Sequence, residues 1–382
     1  MTAGLPPVLC DADSHIMELP DFLRQHADPD LRDALPRIGM DTGRRRETVG
    51  EAIARGHHSA ETVAALTARG GDLLAGPKDY HALGAFSGDE RRLALDLLGL
   101  RRQIVFPSFA LVPVFYGTQG PALTYGAARA LNRAIAAFCA DDARLSGVGL
   151  LPIDDPALAQ DEIEHIIRLG LRAVWLPHQG LPGYAFRPRS LEPVWARMAE
   201  AGLVLACHIM PPPDVARQMA ATGEIVPFEM LDGDDAPRPD QVVFATERVE
   251  IFLSRLIFDG VLQRYPGLQC LIAEFGGGWV PGMMRRLDAA AAQIFRGSAG
   301  RAPARRPSEQ ILDQCLFTPY HHEDVGAMIR ASDSRLYAFS TDYPHIEGGR
   351  DPVASFDATL GGCTEAERAA FYAGNFLRIF GE

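Results

Sequence analysis

Short β-forming runs alternate with amphipathic helical patterns along most of the chain, and this alternation restricts the fold more than any other feature. Eight runs read as strands: residues 8–15, 103–108, 145–153, 171–178, 203–208, 268–274, 316–320 and 336–342. Helical periodicity fills the gaps, most clearly over 155–169, 190–201, 248–264, 280–295 and 364–379. Asp154-Asp155-Pro156 joins an acidic cap to a proline in the first turn, a strong helix start. Gly170 and Gly202 stop two helices just before the next strand. Strands separated by helices pair in parallel, because each crossover returns the chain to the same end of the sheet. Eight such units suit a closed barrel. An open doubly wound sheet is the competing arrangement, but no GxGxxG follows the first strand. The expectation is an α/β fold, a distorted TIM (β/α)8 barrel with inserted cap loops, formed by residues 1–382 as one domain.

Three stretches interrupt the alternation. Residues 21–87 are polar and broken and read as an inserted cap. Residues 210–241 follow the fifth strand, carry Pro211-Pro212-Pro213 and an acidic run, and read as an active-site loop insertion. Residues 297–307 form an Arg/Pro/Gly linker. Long loops after barrel strands are where such folds carry specificity.

Composition narrows the function by exclusion. A formal charge of -12 repels nucleic acid and anionic membranes, so neither is an expected partner. No apolar run approaches the roughly 18 residues needed to span a bilayer, and no secretory signal opens the chain. The six cysteines (Cys10, Cys139, Cys207, Cys270, Cys315, Cys363) are scattered without CxxC pairing, which points to a reduced, cytoplasmic setting.

The polar residues of the strands carry the functional signal. The first strand ends Asp11-Ala12-Asp13-Ser14-His15, and period-two alternation places Asp11, Asp13 and His15 on one face. The fourth strand ends at His178, the fifth at His208, the sixth at Glu274 and the eighth at Asp342, while the seventh runs into Tyr320-His321-His322-Glu323. In a closed barrel these ends meet at one mouth, where barrel enzymes place their chemistry. Each of these residues alone is weak evidence, and a single strand-end histidine is more often a hydrogen-bonded structural residue than a ligand; Glu274 before Gly276-Gly277-Gly278 could cap a helix, and His345 after Pro344 reads as a packed turn residue. The conjunction of Asp13, His15, His208 and Asp342 reads as a shared metal site, because buried acids and imidazoles need pairing or a cation. Tyr320, Tyr343 and Trp279 read as pocket walls.

Here the chain resembles the amidohydrolase superfamily, in the amidohydrolase-related branch that includes aminocarboxymuconate-semialdehyde decarboxylase. The resemblance rests on Asp11 to His15, Cys207-His208, Ala273 to Trp279, Phe339-Ser340-Thr341-Asp342-Tyr343-Pro344-His345 and Gly374-Asn375-Phe376. It implies a distorted TIM barrel whose metal is held by an HxH-like pair on strand one, a histidine on strand five and an aspartate on strand eight. Carried over, these are Asp13, His15, His208 and Asp342. Three departures stand out. Asp13 replaces the first histidine of the pair, and Glu274 stands where decarboxylases often carry a catalytic histidine. The carboxylated lysine that bridges two metals in many relatives has no counterpart, since the fourth strand ends in His178 and Lys78, the only lysine, lies in the insertion.

Two chemistries remain open on these residues. The full set of Asp13, His15, His178, His208, Glu274, His322 and Asp342 is carboxylate-rich and suits two iron ions. That favours a non-haem di-iron monooxygenase acting on a bulky apolar or acyl-CoA substrate, similar to the monooxygenases of this fold in platensimycin and platencin biosynthesis. Arg285, Arg286, Arg305 or Arg306 would then meet CoA phosphates. The alternative is a single zinc or manganese serving hydrolysis or non-oxidative decarboxylation of a small carboxylic acid. Asp342 then moves protons, Glu274 acts as an acid/base group, and His178 and His322 orient the substrate. A non-catalytic binding barrel is the third reading, and a homodimer is an expected assembly from the resemblance.

Overall fold

The computed structural model describes residues 8–38, 45–118, 120–179, 186–211, 216–217, 220–221, 245–294 and 303–381. Seven strands, β1 (Leu9–Ile16), β2 (Leu100–Pro107), β3 (Leu145–Leu150), β4 (Ala173–Trp175), β5 (Val204–His208), β6 (Cys270–Ala273) and β7 (Cys315–Phe317), pair in parallel and in sequence order. Strands β3 to β7 are buried along their whole length, as expected where helices cover one face and side chains fill the other. The eighth strand expected at 336–342 is present as a path but not as a regular strand. Ala338 N–H donates to Phe317 O on one side, while Ala12 N–H donates to Phe339 O and Asp342 N–H to Asp13 O on the other. The ring therefore closes. The ladder fails locally because Phe339 N–H turns away to Phe371 O and because Asp342 adopts a left-handed backbone, φ 53°.

The helices follow their local signals. Asp155 accepts from Ala157 N–H and Leu158 N–H to start Pro156–Arg168, and Gly202 in the left-handed region ends Glu192–Ala201. The helical pattern at 248–264 is divided at Gly260 into Thr246–Phe258 and Val261–Arg264. The final pattern at 364–379 contains a π turn, Ala370–Gly374, followed by Asn375–Phe380. Asn375 Nδ2 donates to Ser334 O and Tyr337 O, which ties that helix to the closing segment of the barrel.

Residues 22–86 are less polar than their sequence reads. Phe22–His26, Arg45–Arg55 and Ala60–Thr67 are helices, and Leu66, Leu73, Leu83 and Phe86 belong to a second apolar cluster that also takes in Tyr343. Tyr343 is thus fully buried beneath this segment rather than lining a pocket, and its hydroxyl donates to Leu83 O. The loop read at 210–241 lies almost wholly outside the described residues, as does most of the linker at 297–307. All six cysteines are free, and no helix among the described residues is long and apolar enough to cross a membrane.

Candidate metal centre

Four elements deliver acids and imidazoles to one end of the barrel. Strand β1 carries a register shift between Asp11 and Ser14, so its side chains divide the work. Asp11 stays below, accepting from Gln103 Nε2, Thr341 N–H and Thr341 Oγ1–H, and holds β1 against β2 and the closing segment. Asp13 and His15 continue to the mouth. His208 ends β5. Glu274 follows β6 and Asp342 ends the closing segment, and both have left-handed backbones, φ 59° and 53°. Such a conformation costs a non-glycine residue about 1–3 kcal/mol and persists where the surroundings enforce it. Here Glu274 N–H donates to Thr318 Oγ1, Tyr320 O–H donates to Glu274 O, and His345 N–H donates to Asp342 O.

The side chains then converge. His15 Nε2 lies 3.0 Å from His208 Nε2, 3.5 Å from Asp13 Oδ1 and 3.4 Å from Asp342 Oδ1. His208 Nε2 lies 3.4 Å from Asp13 Oδ1 and 3.3 Å from Glu274 Oε2. His208 Nδ1 donates to Ile209 O at 3.0 Å, and this leaves Nε2 as a lone pair facing the cluster. Asp13 Oδ1 and both carboxylate oxygens of Asp342 are buried without a hydrogen-bond partner. Burial, then the Asp342, Asp13 and Glu347 charges, push the Glu274 carboxyl well above the usual range. Burial, then the neighbouring imidazoles of His345 and His208, hold the His15 pKa well below its ordinary value. Three carboxylates facing imidazole lone pairs are complementary to a cation. Donor atoms of Asp13, His15 and His208, and separately of His15, Asp342 and His345, lie within 4.8 Å of one another, so the residues fit a divalent ion. An all-N/O set suits manganese, zinc or iron.

The seven residues singled out in the sequence thus divide. Asp13, His15, His208, Glu274 and Asp342 come together. His178 is buried nearby with its ring 5.4 Å from Phe275 and both nitrogens unpartnered, and burial lowers its pKa to about 3. His322 is exposed and stacks on Tyr320 at 5.4 Å. Of the arginines expected to face CoA phosphates, Arg286 pairs with Glu250, Arg305 with Asp313 and Arg306 with Glu309.

Two residues were not recognised in the sequence as part of this site. His345 stacks on His15 with ring centroids 3.9 Å apart, and its Nε2 lies 2.8 Å from Ser108 Oγ. Burial opposes its protonated form, but the Asp342 carboxylate prevails and raises its pKa to about 9. Its spacing three residues beyond Asp342 was the available signal. Lys78, assigned to the insertion, lies with its ammonium in the field of Asp342, Asp79 and Glu347.

A family model described as Amidohydrolase matches residues 78–381. No curated protein sequence matches the chain. Among solved structures, an amidohydrolase from Mycobacterium avium subsp. paratuberculosis K-10 is 21% identical with a TM-score of 0.73, covering 99% of this chain and 100% of that one. The 2,6-dihydroxybenzoate decarboxylase from Rhizobium is 18% identical with a TM-score of 0.62, covering 98% and 99%. A dihydroxybenzoic acid decarboxylase from Polaromonas sp. JS666, solved with manganese and 2-nitroresorcinol, is 17% identical with a TM-score of 0.61, covering 98% and 97%.

Proposed function

The chain belongs to the amidohydrolase family, and from that premise we propose that it is a metal-dependent non-oxidative decarboxylase of a small carboxylic acid. The observation that carries the reading is the pair of donor groups that share His15, one with Asp13 and His208 and the other with Asp342 and His345, and the buried, unpartnered carboxylate oxygens of Asp13 and Asp342 at the barrel mouth. Asp13, His15, His208 and Asp342 would hold one divalent cation, and Glu274 borders it. Similarity in fold to decarboxylases, one of them with bound manganese, supports the choice of reaction. A bound cation supplies charge withdrawal from a coordinated substrate oxygen.

The chain's own residues supply the rest. Glu274 favours its protonated form in this crowd of acids and sits 3.3 Å from His208, so it is suited to deliver a proton to the carbon that loses CO2. His178, neutral and unpartnered, offers a hydrogen bond that orients the substrate. The described part of the 21–87 segment packs beside the loop that follows Asp342, where Asp79 N–H donates to Pro344 O, and would serve as a cap over the mouth. Asp11 and Arg91 position the first strand: Asp11 through Thr341 and Gln103, Arg91 through His15 O at 2.5 Å.

Metal analysis together with a CO2-release assay on a panel of hydroxybenzoates, with manganese-loaded protein, tests the reading. One metal per chain and CO2 release are expected. Two irons per chain with oxygen uptake would replace it with the oxygenase chemistry, and product formation by water addition without CO2 would replace it with a hydrolase.

A further inference from the structure

Ser108 follows the last residue of β2, and a buried acid holds it there. The fully buried Glu18 carboxylate accepts from Ser108 N–H at 2.9 Å, Phe109 N–H at 2.9 Å and Ala110 N–H at 3.1 Å. Ser108 Oγ in turn lies 2.8 Å from Ile16 O and 2.8 Å from His345 Nε2. A hydroxyl has one proton and a carbonyl oxygen only accepts, so that proton goes to Ile16 O. Ser108 Oγ is then an acceptor towards His345, and Nε2, the ring nitrogen that faces it, carries the N–H. A residue outside the cluster thus sets the tautomer of His345, and leaves Nδ1 for the side of Asp342.

His345 Nδ1 lies 3.4 Å from Asp342 Oδ1, yet neither carboxylate oxygen of Asp342 has a hydrogen-bond partner. A neutral ring in this tautomer turns a lone pair towards a carboxylate, which is favourable only around a cation. Donor atoms of His15, Asp342 and His345 lie within 4.8 Å of one another. We propose that His345 is a ligand of the cation through Nδ1, and that Ser108 is the positioning residue that presents it. The assignment extends the metal centre of the proposed function and rests on it: His15, His208 and His345 supply three histidine nitrogens in place of two. Asp342 favours a proton on the His345 ring, and the cation takes that proton's place.

Pulsed electron paramagnetic resonance of the manganese-loaded full chain, with heavy nitrogen in histidine alone, counts the histidine nitrogens coupled to the ion. Three are expected in wild type and two in His345→Phe, which keeps a ring to stack on His15 but carries no nitrogen. Ser108→Ala should weaken manganese binding by roughly ten- to hundredfold, the usual effect of losing a group that orients a ligand. Ser108→Thr keeps the hydroxyl and should retain most of the affinity. Circular dichroism accompanies each variant, and His345→Leu takes the place of His345→Phe if the latter does not fold. Two coupled nitrogens in wild type, an equal count in wild type and the folded His345 variant, or unchanged affinity in Ser108→Ala overturns the assignment and leaves the decarboxylase reading standing. If wild type binds no manganese, both fall.

Discussion

Replacing Arg91 with methionine tests whether the barrel mouth is held in shape from beneath the cap. The Arg91 side chain is completely buried and donates to Gly84 O at 2.8 Å, Gln103 Oε1 at 3.0 Å and His15 O at 2.5 Å. Removing it leaves three buried acceptors without a donor, at about 1–3 kcal/mol each, or about 6 kcal/mol at mid-range. Against this, burial, partly offset by Tyr343, Cys139 and Asp11, pushes the guanidinium down from its ordinary 12.5 to about 10, a penalty of about 3 kcal/mol on the charged form that the variant escapes. The net loss is about 3 kcal/mol. For a chain of 382 residues the unfolding entropy is about 0.8 kcal/mol per kelvin, so the melting temperature should fall by about 4 °C. Differential scanning calorimetry measures this, and manganese titration should show weaker binding, because His15 loses the bond that fixes its backbone. A variant with unchanged melting temperature and unchanged manganese affinity would refute the argument that this buried cation positions β1.

Manganese at about 100 times its dissociation constant should raise the melting temperature of the wild-type chain by about 3 °C, and Asp13→Asn or His208→Ala should abolish that rise; an equal rise in both variants would remove them from the ligand set. His58 and Glu90 form a buried pair at 2.6 Å. Burial disfavours the imidazolium, but the Glu90 bond outweighs it and raises the His58 pKa; burial likewise opposes the carboxylate, and the His58 bond outweighs it and lowers that of Glu90. The pair's contribution is therefore full between the ordinary values of 4.5 and 6.5, and is lost as pH rises through the His58 value or falls through that of Glu90. Glu90→Gln should cost about 3 kcal/mol in urea unfolding within that window and less outside it; a cost independent of pH would exclude the ion pair. Gly276→Ala should destabilise the chain by about 2 kcal/mol in the same assay, because φ is +68° and the added carbon would sit 2.8 Å from Tyr320 and 2.9 Å from Glu323. No loss of stability would mean that the 274–278 turn rearranges freely.

The sequence by itself determined the parallel barrel and the strand-end residues that face its mouth. Strand and helix periods are local properties of the chain, and ring closure then brings Asp13, His208, Glu274 and Asp342 together whatever their separation. Tertiary structure decided the rest. The eighth strand was legible as an apolar run at 336–342, yet its ladder was not, because Phe371 captures the Phe339 amide from a distant π turn. His345 stacks on His15, and Lys78 comes into the field of Asp342, only through the path of the loops that carry them, and no period encodes a loop path. His322 shows the converse. A histidine just beyond a strand end reads like its neighbours at the mouth, but the turn after β7 directs it to solvent, where it stacks on Tyr320.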